Sequence, residues 1–289
     1  MRRIRDFSPA RLNAFLLVMY LSVVVMLSIN HAYGDRCSCP PTLGEDGSKR
    51  INEPRQRAVL LWNGQEEILF LSTDLSAPYS SPMGEVLALP GEPQVALGSL
   101  DVFAHLVELP GATHLSRDWL PSEPYGTMAS SFLVGSWNDP LFRPAIASKC
   151  FSELDSYQAK GMPWVVVNNI NIRTYTQSFP PIEYRFSSRA AFYPLAISAA
   201  DSGMTQIDLI VITKNGLLSL PRLEYPITIQ SRFLLSSHDL AALSPAWAAF
   251  FQRSTLTASA PVAAAISVTV EHIRIQGDIS RMRTDFLAY

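Results

Sequence analysis

The chain has 289 residues, enough to bury one large core or two small ones. Its composition, 48% apolar and 17% charged, is that of a globular protein and excludes a disordered one. A formal net charge of −2 offers no basic excess to neutralise phosphates, which excludes nucleic acid as the expected partner.

The first 34 residues stand apart. Arg2, Arg3, Arg5 and Arg11 make a positive start, and the run Ala14–Ile29 is apolar except for Tyr20, Ser22 and Ser28. Ala32 and Gly34 then offer the small residues of a cleavage site, so residues 1–34 read as a secretory signal peptide cleaved after Gly34. The rival is an uncleaved anchor. Sixteen helical residues span about 24 Å, short of the roughly 30 Å hydrocarbon core. No later apolar run is long enough to cross a membrane as a helix. Cleavage leaves 19 basic and 24 acidic side chains, a net charge of −5.

Residues 35–57 are polar and read as an extended lead-in. They hold Cys37 and Cys39, and the third cysteine is Cys150. Outside the cytoplasm a disulfide is the default for such residues. A Cys37–Cys39 ring is strained, whereas a bond from either to Cys150 closes a long loop and leaves one thiol over. A soft metal ion on the three thiols is the weaker alternative, and no metal or other cofactor is expected.

Beyond the lead-in, two apolar runs flank Asn63-Gly64, the strongest short hairpin signal, over residues 58–72. Residues 84–95 form a predicted strand that ends at prolines. Ser99–Leu109 reads as a helix with Ser99 as its cap, Asp101 in its first turn, and Leu100, Phe103, Leu106 and Val107 on one face. Asp101 and His105, four apart, are within reach of each other on its surface. Residues 110–163 form an irregular, proline-rich insert, with a strand at 130–137 and a short helix at 152–161. Its Trp119, Tyr125, Trp137 and Phe142 are the candidate binding residues, because aromatic loops on a β scaffold contact ligands.

Strands follow at 163–172, 182–187, 192–199 and 205–213. Asp201-Ser202-Gly203 is good turn chemistry, so the last two read as a hairpin. Ile207, Leu209 and Val211 fall on one face, which predicts burial mostly on that side. Pro194 lacks the N–H for a ladder bond, which predicts a sheet edge where Tyr193 buries its ring and turns its hydroxyl to solvent. A further strand precedes a helix over 236–252, broken at Pro245. There Asp239 beside His238 is read as part of the cap. A strand within 264–279 and an apolar terminus, 284–289, docked on the body, complete the chain.

The order Cys37-Ser38-Cys39, Leu89-Pro90, Phe103 to Leu106, Tyr193-Pro194-Leu195 and Gly203 to Thr205 resembles the bacterial secreted proteins of domain of unknown function family 2330. That resemblance implies a secreted, β-rich protein and no particular reaction.

No catalytic set is legible. A Gly-x-Ser-x-Gly turn, a glycine-rich phosphate loop and a histidine cluster are all missing from the sequence. Glu66-Glu67 follows the turn, where a solvated edge is expected; His114, His238 and His272 stand alone. The expected fold is mostly β (α+β): antiparallel sheets packed as a sandwich with a few peripheral helices, in one domain over residues 58–289. The expected role is a non-enzymatic binding or scaffolding module, secreted, periplasmic or in the cell envelope, with an unknown protein or small-molecule ligand. A secreted hydrolase is the alternative, and a metal-handling protein the weaker one.

Overall fold

The structure, a computed structural model, describes residues 36–39, 52–77, 80–108, 119–121, 123–136, 138–140, 162–193, 206–214, 227–253, 267–276 and 286–288. All belong to the unit Gly34–Tyr289. They are mostly β, as expected. A mixed sheet of eight strands carries helices on one face and a second sheet of four strands on the other.

The large sheet starts from the predicted hairpin. β2 (Asn52–Trp62) and β3 (Glu66–Ser76) pair antiparallel around Asn63-Gly64-Gln65. Gly64 has φ 99°, a left-handed conformation that only glycine takes cheaply. The Asn63 side chain closes the turn, because its Oδ1 accepts from the backbone N–H of Gln65 and Glu66 at 3.0 and 2.9 Å. β9 (Ile182–Ser187), β5 (Gln94–Leu97) and the short β8 (Gln177–Ser178) continue the sheet beyond β3. On the other side lie β11 (Gln206–Lys214), β13 (Ser267–Gln276) and β12 (Ile227–Ser236), in that order. Every described strand pairing is antiparallel except β2 with β11; the isolated bridge Tyr125–Ser178 is also parallel.

That exception overturns the hairpin expected from Asp201-Ser202-Gly203. β10 (Ala191–Tyr193) pairs with β14 (Phe286–Ala288), while β11 lies between β2 and β13. Both edges of β11 are occupied and both faces are buried, so its burial is not one-sided: Ile207, Leu209, Ile210, Val211 and Ile212 are all inside. Residues 194–205, with Pro194 and the turn, lie outside the described residues. The apolar C-terminus is docked, through β14 on β10.

The lead-in also ends sooner than its polarity suggested. Asn52–Arg57 form the first half of β2, and Glu53, Gln56 and Arg57 are buried there. The polar side chains are tolerated because each has a partner. Gln56 donates to Glu53 Oε1 at 3.1 Å and accepts from the Tyr193 hydroxyl. Tyr193 is therefore fully buried with its hydroxyl bonded inside, contrary to the expectation of a wet hydroxyl. Tyr193→Phe removes the donor to a buried oxygen and is expected to cost about 1–3 kcal/mol in chemical denaturation.

The second sheet has the order β1 (Arg36–Cys39), β4 (Ser81–Leu89), β7 (Trp164–Ile172) and β6 (Thr127–Ser136). β6 is the strand expected at 130–137 within the irregular insert; it begins at Thr127 and carries a bulge between Met128 and Phe132. Leu75 of β3, Ile170 and Ile172 of β7, and Phe179 join the sheets in one apolar cluster.

Among the described residues, three helices cover the opposite face. α1 (Asp101–Val107) buries Phe103 and Leu106. Ser99 accepts from the Asp101 N–H and donates to its carboxylate, so Asp101 is bonded to Ser99 and not to His105. α2 (Ser237–Leu243) and α3 (Pro245–Arg253) meet at an extended Ser244, the break expected at Pro245. Ser236 caps α2 by accepting from the Asp239 N–H at 3.1 Å, and its hydroxyl holds the exposed Asp239 carboxyl below its usual range. Trp247, Phe250 and Phe251 of α3 pack on Val59, Ile210 and Val270 of the sheet.

Candidate functional site

The helix-covered face of the large sheet is apolar along one half and charged along the other. The reason lies in strand direction. The polar beginnings of β2 and β11 run side by side, and the antiparallel β3 and β13 bring their C-terminal halves to the same end. Arg57, Asp208 and Arg274 are direct partners on β2, β11 and β13, and so share one row and one face.

Asp208 is the hub of that row, with none of its side chain exposed. Its Oδ2 accepts from Arg55 Nε and Nη2 at 3.1 and 2.6 Å and from Gln206 Nε2 at 2.6 Å. Its Oδ1 accepts from Arg274 Nε at 2.6 Å. His272 Nε2 lies 3.5 Å from the same oxygen, longer than a good hydrogen bond. Burial pushes the Asp208 carboxyl up, but His272, Arg274 and Arg55 outweigh it and hold the group well below the usual carboxylate range. Burial, and then the neighbouring Arg57, pull Arg55 below its ordinary value, with Asp208 opposing.

The row continues across β2. Arg57, buried, holds Asp74 through both guanidinium nitrogens at 2.7 and 3.0 Å, and Ser178 donates to Asp74 Oδ1 at 2.6 Å. Cation and anion thus alternate from β13 to β3, and Ser178 of β8 closes the row. Such a carboxylate stays ionised and fully engaged, which suits a structural hub and not a proton carrier.

A second polar group lies between the sheets. Asn168 Nδ2 donates to Glu85 Oε2 at 3.0 Å and to the Tyr184 hydroxyl at 2.8 Å, all three buried. Beside Glu85 is a crevice lined by Leu71, Thr73, Leu75, Ile170 and Phe179, with room for about one water molecule. That is far smaller than a substrate pocket.

The third feature is exposed apolar surface. Leu97 on β5 and Leu133 and Val134 on β6 are 48%, 41% and 36% exposed. β5 and β6 are edge strands of their two sheets and lie against each other. Tyr125, 41% exposed, leads into β6 and bridges to Ser178.

The aromatic residues singled out from the sequence therefore separate. Tyr125 is at the surface, but Trp119 is fully buried with its ring 4.8 Å from that of Phe103. Trp119 belongs to the core under α1, which corrects its assignment to a binding patch. Trp137 and Phe142 lie outside the described residues. So do Cys150 and the side chains of Cys37 and Cys39, of which the structure gives the β1 backbone alone. Glu67 is fully buried rather than solvated, and His272 is not alone but sits against Asp208. Among the described residues no group of His, Cys, Asp and Glu side chains is placed to hold a metal ion, and no helix is long and apolar enough to cross a membrane.

Sequence reading missed the charged row. Its signal was a charge in the middle of an apolar strand: Asp208 between Ile207 and Leu209, Arg274 between Ile273 and Ile275. Buried ionic side chains need partners, so such isolated charges in strands belong together. No protein-family model matches this chain, and no curated protein or solved structure matches it either.

Proposed function

We propose that this protein is a non-enzymatic binding or scaffolding module, exported by its N-terminal leader to the cell envelope, and a member of the secreted family it resembles. The observation that carries this reading is the exposed apolar surface on the adjoining edge strands β5 and β6, with Leu97, Leu133, Val134 and Tyr125. Exposed large apolar side chains on adjoining edge strands offer contact on either face, since Leu133 and Val134 are successive and take alternate sides of β6. The titratable groups at the heart of the fold support the same reading, since Asp208 and Asp74 are committed to arginine.

The test is site-specific photo-crosslinking in cells that make the protein. A photoreactive residue at position 133 is expected to give a discrete adduct, absent from position 249 on the exposed side of α3. Leu133→Asp is expected to abolish an adduct formed from position 97, while changing stability by less than about 0.5 kcal/mol, as for a surface substitution. No adduct, or equal adducts from both positions, refutes the contact surface. A chain that keeps residues 1–34 in the cytosol refutes the export reading.

A further inference from the structure

The charged row gathers cations at one end of the sheet. Among the described residues, Arg55, Arg57 and Arg274 stand against the two carboxylates Asp74 and Asp208. Donors are left over. Arg274 spends Nε on Asp208, and its Nη1 and Nη2 have no partner among the described residues. Arg57 Nε makes no hydrogen bond there either, nor does either ring nitrogen of the buried His272, which carries at least one N–H. Buried N–H groups without acceptors cost free energy comparable to a lost hydrogen bond, so the arrangement calls for an acceptor.

The register states where that acceptor would sit. Strands neighbour each other about 4.8 Å apart, so β2 and β13 stand about 10 Å apart with Asp208 between them. The side chains of Arg274 and Arg55 keep 23% and 17% exposure, whereas Arg57 keeps 2%. The first two are reachable from solvent and the third lies behind them. Asp208 holds Arg274 by Nε, which fixes the guanidinium plane. A fork held in this way presents two parallel N–H groups at the spacing of two oxygens on one carbon or phosphorus.

We infer that this end of the sheet is an anion site, in which the Nη1 and Nη2 groups of Arg274 hold the oxyanion of a small carboxylate or phosphate group, with Arg55 and Arg57 supplying the surrounding charge. Asp208 is then a positioning residue. It aims the arginine and keeps it from collapsing onto another partner. The site is separate from the apolar surface on β5 and β6, and stands or falls independently of it.

The probes are inorganic phosphate and acetate, titrated into the purified chain by calorimetry at ionic strength held constant with chloride. Saturable binding of at least one is expected, weakened about tenfold or more by Arg274→Gln. Arg274→Lys keeps the charge beside Asp208 but not the fork, and is expected to fold and to bind several-fold more weakly than the parent. Arg232→Gln is the control. That arginine pairs with Glu271 on the opposite face, is 41% exposed, and should leave binding unchanged. Phosphate binding without acetate binding assigns a phosphate ligand, and acetate binding assigns a carboxylate. No saturation with either anion overturns the inference. So does equal weakening by Arg232→Gln, or parent-like binding in the two Arg274 variants.

Discussion

Asp208→Asn is expected to destabilise the protein by about 3–5 kcal/mol at neutral pH. The side chain keeps its size, so no cavity forms. What changes is that Arg55 and Arg274 lose their common anion in a place where water reaches them only partly. Removing one member of a buried ion pair leaves the other charge uncompensated, and the destabilisation is the penalty for that charge. Arg274 in particular keeps no other protein partner among the described residues.

The same carboxylate sets an acid limit. An unfolded aspartate titrates near pH ~3.9. Asp208 in the folded protein titrates well below that, so between the two values the unfolded chain binds the proton and the folded one does not. The stabilisation is thus complete above about pH 4 and is lost as pH falls further, by up to ~1.4 kcal/mol per pH unit. Urea denaturation at pH 7 and at pH 3 checks this. The gap between parent and Asp208→Asn should narrow at the lower pH. A gap of the same size at both values would show that Asp208 is not held ionised by its arginines.

Trp119→Ala is the second large effect, expected at about 3–5 kcal/mol. The ring is fully buried against Phe103 beneath α1, in the cluster that also holds Phe70, Trp247 and Phe250. Losing it opens a void that the surrounding side chains fill only in part. Tyr125→Ala, by contrast, should change stability little, since that side chain stands largely in solvent. Thermal denaturation of the two variants separates core from surface within a stretch whose aromatic residues look alike in sequence. Equal stability of Trp119→Ala and the parent would remove Trp119 from the core.

These two sites mark how far sequence reaches in this chain. Asn63-Gly64 between apolar runs was enough to place the β2–β3 hairpin, and Pro245 enough to break the helix, because turn and helix geometry depend on a few neighbouring residues. Mostly β character followed from repeated short apolar runs between prolines and turn residues. The proposed export likewise rests on a local pattern, in residues 1–34.

Partner choice between strands was decided by the tertiary structure. β10 and β11 follow each other in the chain with good turn chemistry between them, yet pair with β14, β2 and β13. A strand takes the neighbours that bury both its faces, and those come from anywhere along the chain. The Arg–Asp row has the same origin. Arg55 and Asp208 are 153 residues apart, and each alone looks like a charge misplaced in a strand. Local sequence determines which backbone shapes are cheap. Which charges meet, and which aromatic ring is inside, follows from the packing of distant segments, since burial and Coulomb energies depend on distance in space and not on separation along the chain.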